Sequence, residues 1–309
     1  MGHGHGHAAG HAAGRAEDRS RLRLVLAVTL TVLVAEVVGA WWSGSLALLA
    51  DAGHMATDAG AVLLALAASF IAGRPATARR TFGWHRAEVL AALANSVVLL
   101  AVCVYLLVEG VRRLLDPPPV EAGAMVAFAV VGLVANGVST WLLTDRRGSS
   151  LNMRAAYLEV VGDLVGSGLV VVAGLVVWTT GFLRADPIAT LLIALVILPR
   201  AFLLAKEALE VLLEATPAHI DPEEIRDHLL QVPGVVDVHD LHVWTITSGL
   251  PSLSVHVTVE DSTLESVGVG ALLDRFCHCV AAHFDVEHTT FQVEPVSHQE
   301  HEHLGEAHP

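Results

Sequence analysis

The chain has 309 residues, 53% of them hydrophobic and 16% charged, with a formal net charge of −14. So apolar a composition points to a membrane protein carrying a soluble part, and an acidic balance with no basic patch argues against nucleic acid as a partner. The three cysteines, Cys103, Cys277 and Cys279, are too few and odd in number for a disulfide framework.

Residues 1–20 hold His3, His5, His7 and His11 among alanines and glycines and read as a His-rich disordered tail. With no early basic region leading into an apolar core, this stretch is not a signal peptide. Six apolar segments follow, at about 24–42, 46–71, 88–111, 122–144, 155–180 and 187–208. Each reaches the roughly 20 residues that cross a hydrocarbon core, so a transmembrane domain is expected over 21–213. Trp41, Trp42 and Trp178 fall at segment ends, where aromatic side chains meet the bilayer interface. Asp116-Pro117-Pro118-Pro119 ends the third segment.

The basic residues set an orientation. Arg15, Arg19, Arg21 and Arg23 precede span 1; Arg74, Arg79, Arg80 and Arg86 separate spans 2 and 3; Arg146, Arg147 and Arg154 separate spans 4 and 5. The opposite side has Arg112, Arg113 and Arg184. The positive-inside rule then places both termini in the cytoplasm of a multi-pass protein, and the chain suits a cell inner (plasma) membrane. Arg200, in the cytoplasmic half of span 6, is placed either to snorkel or to pair with an acid.

After Thr216-Pro217 the composition becomes that of a soluble domain, expected over 214–296. DPEEIRDHLLQV reads as a helix with Asp221 as N-cap and Glu224 three residues on. VVDVHDLHVWTIT and LSVHVTVE alternate as strands around the turn SGLPS, LESVGVGALLDRFCHCVAAHF reads as one helix, and HTTFQVE as a last strand. The fold class expected is a membrane α-helical bundle of six transmembrane helices plus a cytoplasmic α+β domain, α-β-β-α-β and ferredoxin-like. A His-rich disordered tail, 297–309, closes the chain. Both His-rich ends are weak metal collectors at most, because flexible segments gain little from preorganisation.

Two pairs carry the chemistry. His54-x-x-x-Asp58 lies in span 2 and Glu159-x-x-x-Asp163 in span 5. A spacing of four puts each pair on one helix face, and ionisable groups at membrane depth are costly enough to be functional candidates. Facing each other, the pairs would offer one imidazole and three carboxylates to a divalent cation. Other polar residues inside spans carry a weaker signal. Asn95 and Asn136 read as interhelical hydrogen-bonding groups, Glu36 borders a path out or serves structure, Glu109 is a further acid, and Ser167 shares the face of Asp163 and would support it. In the soluble domain His239, Asp240, His242 and His256 stand out. Strict alternation puts Asp240 and His242 on one face of their strand and His239 on the other. Cys277-His278-Cys279 reads as a structural pair on a helix, not a metal site.

SGSLALLADAGHMATDAGAVLLALAA, FGWHRAEVLAALAN and NMRAAYLEVVGDLVGSG resemble the signature stretches of the cation diffusion facilitator family, and VHDLHVW with HTTFQVE resembles that family's cytoplasmic domain. The similarity runs from about residue 20 to 296. It implies a homodimeric secondary transporter in the lipid bilayer that exports Zn²⁺ or a related divalent metal in exchange for protons. By position, His54, Asp58, Glu159 and Asp163 match the family's ligand pairs. Glu159 stands where zinc members usually carry His, which hardens the site; Zn²⁺ remains first as transported substrate, with Co²⁺, Cd²⁺, Fe²⁺ or Mn²⁺ open. The resemblance also implies a cytoplasmic-domain metal site from His239, His256 and Glu294, with Gln292 a poor ligand beside it, and an accessory site at His85; the bland reading of His85 is an exposed side chain beside arginines.

Two other function classes remain open. A metal-gated channel would need a continuous polar lining, and a membrane-bound metal sensor would signal through the soluble domain. Without HExxH or another catalytic signature, no enzyme activity is expected.

Overall fold

The computed structural model describes residues 5–145, 151–247, 249–284, 286 and 288–299. It divides into two compact units, one built from the chain up to residue 64 with 94–203, the other from 65–93 with the chain from 204 onward.

Six long helices appear where the apolar segments are: α1 (His5–Ser43), α2 (Leu46–Ala72), α3 (Ala87–Leu115), α4 (Ala122–Thr144), α5 (Leu151–Thr180) and α6 (Ala185–Leu212). Each is long and apolar enough to cross a membrane, and in hydrocarbon a helix satisfies its own backbone groups. The first unit's core packs Leu46, Leu48, Cys103, Leu106, Met125 and Val170 with small residues such as Ala47, Ala129, Ala194 and Ala201. Small side chains let helices approach closely where lipid offers no hydrophobic drive between them. The opposite faces carry Leu63, Val165, Leu195 and Val196, all exposed, which is an inside-out pattern that only a bilayer makes favourable. Trp41 and Trp178 are exposed at helix ends, as expected for interfacial aromatics.

The helix α1 reaches back to His5, into the stretch read above as a disordered tail. Alanine is the strongest helix former, and AAGHAAGRAEDR supplies little to stop a helix started downstream. His3 lies outside the described residues, as do Arg146, Arg147, His301, His303 and His308. At the other end Val296–Gln299 forms one short helical turn.

The turn between α1 and α2 is fixed by side chains distant in sequence. Gly44 takes a positive φ of 70°, a conformation open to glycine without strain, and its carbonyl accepts from Arg113 Nη1 at 2.7 Å. Arg113 also pairs with Glu109 at 2.9 Å, so that acid is structural. Asp186, fully buried at the start of α6, accepts from the Ser45 hydroxyl, from Leu46 N at 2.9 Å and from Ala47 N at 3.1 Å. It caps α2 from another helix, satisfying amides that have no intrahelical partner.

The second unit contains α7 (Pro222–Leu230), β1 (Val235–Thr245), β2 (Pro251–Val259), α8 (Asp261–Val267), α9 (Val269–Phe284), β3 (His288–Pro295) and α10 (Val296–Gln299). Asp221 caps α7 as expected, accepting from Glu223 N at 3.0 Å. The sheet order is β1-β2-β3, with β1 antiparallel to β2 and β2 parallel to β3; the α8–α9 crossover is what a parallel return requires. Val238, Val243, Val255, Val257, Ile225, Leu229, Leu272 and Phe276 form its core.

Two details depart from the sequence reading. The single helix expected after β2 is two, because Gly268 at φ +82° breaks it into α8 and α9. Strand β1 is also not regular. Its pairing slips between His239 and His242, and Asp240 takes φ +47°. This is a β-bulge, which adds a residue and shifts the alternation by one. Val238 and Val243, an odd number apart, therefore both face the core, and His239 and His242 share the opposite face. Strict alternation had separated them.

The segment 65–93 also belongs to this unit. Arg86 pairs with Glu214 at 2.7 Å, Glu88 accepts from the Thr247 hydroxyl at 3.3 Å, and Phe82 meets the His288 ring edge-on at 5.6 Å.

Removing the Asp186 carboxylate strands two buried amides and a hydroxyl. Asp186→Ala is expected to destabilise the protein by about 1–3 kcal/mol, read as a lower thermal midpoint of the purified protein in detergent, while a surface control such as Glu223→Ala near the exposed start of α7 lowers it less.

Candidate metal centres

The helices α2 and α5 bring His54, Asp58 and Asp163 together, with one ligand atom from each within 4.8 Å of the others. His54 Nδ1 lies 3.4 Å from Asp58 Oδ2, and Nε2 lies 4.0 Å from Asp163 Oδ1. One imidazole thus stands between carboxylates from two helices. His54 Nδ1, Asp58 Oδ2 and Asp163 Oδ1 are buried without hydrogen-bond partners. Orphaned polar atoms in an apolar interior are costly, and a cation held by the two carboxylates and one imidazole nitrogen would offset that cost.

Glu159 is half-buried one turn before Asp163. It is not part of the 4.8 Å cluster, but it is within electrostatic reach of His54 and Asp163. Arg200 of α6 is exposed and within electrostatic reach of all four residues. Its position, ambiguous in the sequence, makes it a fixed positive charge that offsets part of the site's negative charge. Ser167 does not support Asp163 directly. It donates to Asp51 Oδ2 at 2.9 Å and accepts from Asn136 Nδ2 at 3.2 Å. Asn136 is therefore an interhelical hydrogen-bonding group, as expected for such a residue in a bilayer. Asp51 itself, 2% exposed, was not singled out from the sequence. The signal for it is an acid in the same span three residues before His54.

A second cluster forms in the α+β domain from His239, His256 and Glu294, again with ligand atoms within 4.8 Å. Strand pairing makes it: His239 and His256 are direct partners across β1 and β2, with rings 5.3 Å apart. Glu294 projects from β3, 3% exposed, 3.0 Å from His256 Nδ1 and 3.6 Å from His239 Nε2. Gln292 contributes a donor to Glu294, and Asp237 lies 3.2 Å from His239 Nδ1. Two nitrogens and a carboxylate suit a borderline metal.

His85 joins neither cluster; it is exposed and lines a cleft of about 1050 Å³ with Arg79, Arg80 and Arg86. Arg80 stacks over Trp84 at 3.6 Å. The cysteines of α9 are not a buried pair: both thiols are free, Cys277 is exposed and Cys279 half-buried. Burial pushes the Cys279 thiol above its ordinary pKa.

Cation-accepting side chains brought together by two of six helices long and apolar enough to cross a membrane point to a multi-pass membrane protein that handles metal cations. Residues 22–213 match the family model of the cation efflux transmembrane domain, and residues 217–296 match that of the cation efflux protein cytoplasmic domain. The chain belongs to this cation efflux, or cation diffusion facilitator, family of transporters, and it is not an enzyme. It is 43% identical over 264 residues to the metal cation efflux system protein CzcD of Cupriavidus metallidurans, covering 85% of this chain and 83% of that one. It is 42% identical over 266 residues to the zinc transporter ZitB of Escherichia coli, at 85% and 83% coverage. A Bacillus subtilis relative, the cadmium, cobalt and zinc/H⁺–K⁺ antiporter, is 34% identical over 268 residues, with 86% of each chain covered.

Two outcomes follow from these placements. Arg200→Gln removes positive charge facing a cation site, so divalent-metal binding there should tighten by about fivefold, measured by equilibrium dialysis in a chain lacking His239 and His256; unchanged affinity would show that Arg200 is screened. Iodoacetamide should label exposed Cys277 first and the half-buried Cys279, whose thiol pKa burial raises, more slowly, with buried Cys103 reacting only on unfolding, as followed by peptide mass spectrometry.

Proposed function

We propose that this protein is a secondary transporter that exports divalent metal cations, Zn²⁺ first among them, from the cytoplasm in exchange for protons. The observation that carries the reading is the convergence of His54, Asp58 and Asp163 between membrane-crossing helices, with their facing atoms buried and unsatisfied. Glu159 completes the ligand set when a metal draws it in. The domains are 21–213 in the membrane and 214–296 in the cytoplasm, the protein works as a homodimer in the inner (plasma) membrane, and both termini are cytoplasmic.

Mechanism follows from the donors. A divalent cation is bound by deprotonated carboxylates and a neutral imidazole, so metal and protons compete for the same atoms. His54 has the side chain whose ordinary pKa, about 6.5, makes it the natural proton carrier. With the site open to the cytoplasm, metal displaces protons; with the site open to the other side, protons displace metal. The total charge held at membrane depth changes little across the cycle, which is what makes exchange cheaper than the movement of either ion alone. One nitrogen among carboxylate oxygens is harder than a two-histidine site. Zn²⁺ is expected with Cd²⁺ and Co²⁺ as further substrates, in line with the metals in the relatives' names.

The His239–His256–Glu294 cluster is a regulatory metal site of the cytoplasmic domain. It is a feature that favours a sensor reading, but a sensor has no use for a ligand cluster at membrane depth.

The test is transport in proteoliposomes. Zn²⁺ movement should follow an imposed pH gradient and vanish in Asp163→Ala, while His239→Ala with His256→Ala changes its metal dependence but leaves exchange intact. Zn²⁺ movement that ignores the pH gradient would point to a channel, and binding confined to the cytoplasmic domain with no transport would point to a sensor.

A further inference from the structure

One turn from the quartet lies a second set of buried acids that the exchange mechanism above does not use. Glu36 of α1 is fully buried, and neither of its carboxylate oxygens has a hydrogen-bond partner. It faces Asp51 of α2 in side-chain contact, and Asp51 is itself 2% exposed. One Asp51 oxygen is taken by the Ser167 hydroxyl, which Asn136 holds in place from α4. Both Glu36 oxygens remain without donors. Among the described residues neither carboxyl group pairs with a basic side chain.

The backbone makes room for this arrangement. A Cβ at Gly132 of α4 would stand 2.5 Å from Glu36 Oε1 and 3.3 Å from Ser167 Oγ, and one at Gly166 of α5 would stand 2.8 Å from Asp51 Oδ1. Four helices thus close around Glu36 and Asp51, and the two unpartnered atoms of the pair are both carboxylate oxygens of Glu36. Two facing carboxylates in an apolar interior cannot both stay ionised and unpartnered. A single proton shared between the two groups still leaves a Glu36 oxygen unsatisfied. A divalent cation neutralises both groups and takes oxygen ligands readily.

The placement gives this pocket a use. Asp51 precedes His54 by three residues and Ser167 follows Asp163 by four, so the pair lies about 5 Å along the helix axes from the quartet. The displacement is toward the end of the bundle that carries the Gly44 turn. An ion leaving the quartet in that direction meets Glu36 and Asp51 next. We propose that the Glu36–Asp51 pair is a second divalent-cation station, made of oxygen ligands alone, between the quartet and that end of the bundle. Its role as a stop on the transport path rests on the transport reading; its capacity to bind a cation does not.

The test uses Mn²⁺ alone, a hard cation whose free form is counted directly by electron paramagnetic resonance. The full-length protein carries His239→Ala and His256→Ala to clear the α+β domain, and Asp58→Ala and Asp163→Ala to disable the quartet. It should still hold about one Mn²⁺ per chain, and that ion should be lost with Glu36→Gln or Asp51→Asn, which keep shape and remove charge. Gly132→Ala, which leaves every charge in place and drives a methyl group into Glu36, should lose it too. No bound ion in the parent, or an ion that survives Glu36→Gln, overturns the proposal. If the quartet variant does not fold, the comparison is made with the quartet intact, where Glu36→Gln should lower the count from about two ions to one. Zn²⁺ flux of the unaltered protein is measured alongside. Absent flux with the Glu36-dependent ion present would sink the transport reading and leave the station standing, and normal flux without that ion would do the reverse.

Discussion

An ionised side chain inside an apolar helix bundle must find a partner, and the membrane unit is organised around how each of its acids does so. Asp186 is met by three donors at the start of α2. Glu109 is met by Arg113, which also ties down the Gly44 turn. Those two pairings are complete, and they hold the short connections at one end of the bundle. Deeper in, the pairing is left open. His54, Asp58 and Asp163 come together with unsatisfied atoms, and Glu36 meets Asp51 with both of its own oxygens lacking a donor from the rest of the bundle. The completed contacts fix the helices; the incomplete ones leave places for a mobile cation.

The two ligand clusters are chemically unlike, and the difference follows from their scaffolds. Within the bundle, side chains one helical turn apart supply a single nitrogen among carboxylates, a set that on the proposed mechanism takes metal in competition with protons. In the α+β domain, cross-strand pairing sets two imidazoles ring to ring, and a buried carboxylate on a parallel neighbour faces both. A nitrogen-rich set on a rigid sheet suits retention of a metal, whereas the bundle site suits its exchange.

Much of this was legible in the sequence because the signals are local and periodic. Six apolar runs of membrane length gave the helices, and the i,i+4 spacing put His54 with Asp58 on one face of α2. The grouping of His239, His256 and Glu294 comes from the family resemblance and not from periodicity, and the fold sets their ligand atoms within 4.8 Å of one another. What stayed hidden depends on tertiary contact or on a single backbone deviation. The cap on α2 comes from Asp186, 140 positions away from Leu46, and no local pattern marks it. The partnership of Glu36 with Asp51 requires that α1 meet α2 at that level. The bulge at Asp240 shifts the alternation of β1, so counting residues by twos assigns His239 the wrong face. Gly268 was visible as a letter, but its left-handed backbone, which divides the expected helix, was not.

On the exchange mechanism proposed above, metal and protons compete for the same buried atoms in the bundle. The most direct test of that competition is a count of protons released when Zn²⁺ binds to the full-length protein, with His239 and His256 replaced by alanine, in weakly buffered detergent solution. Proton release should accompany each bound ion, grow as pH falls from 8 toward the ordinary imidazole pKa of about 6.5, and disappear with Asp163→Ala. Zn²⁺ binding at the bundle with no proton release at any pH in that range would contradict the mechanism.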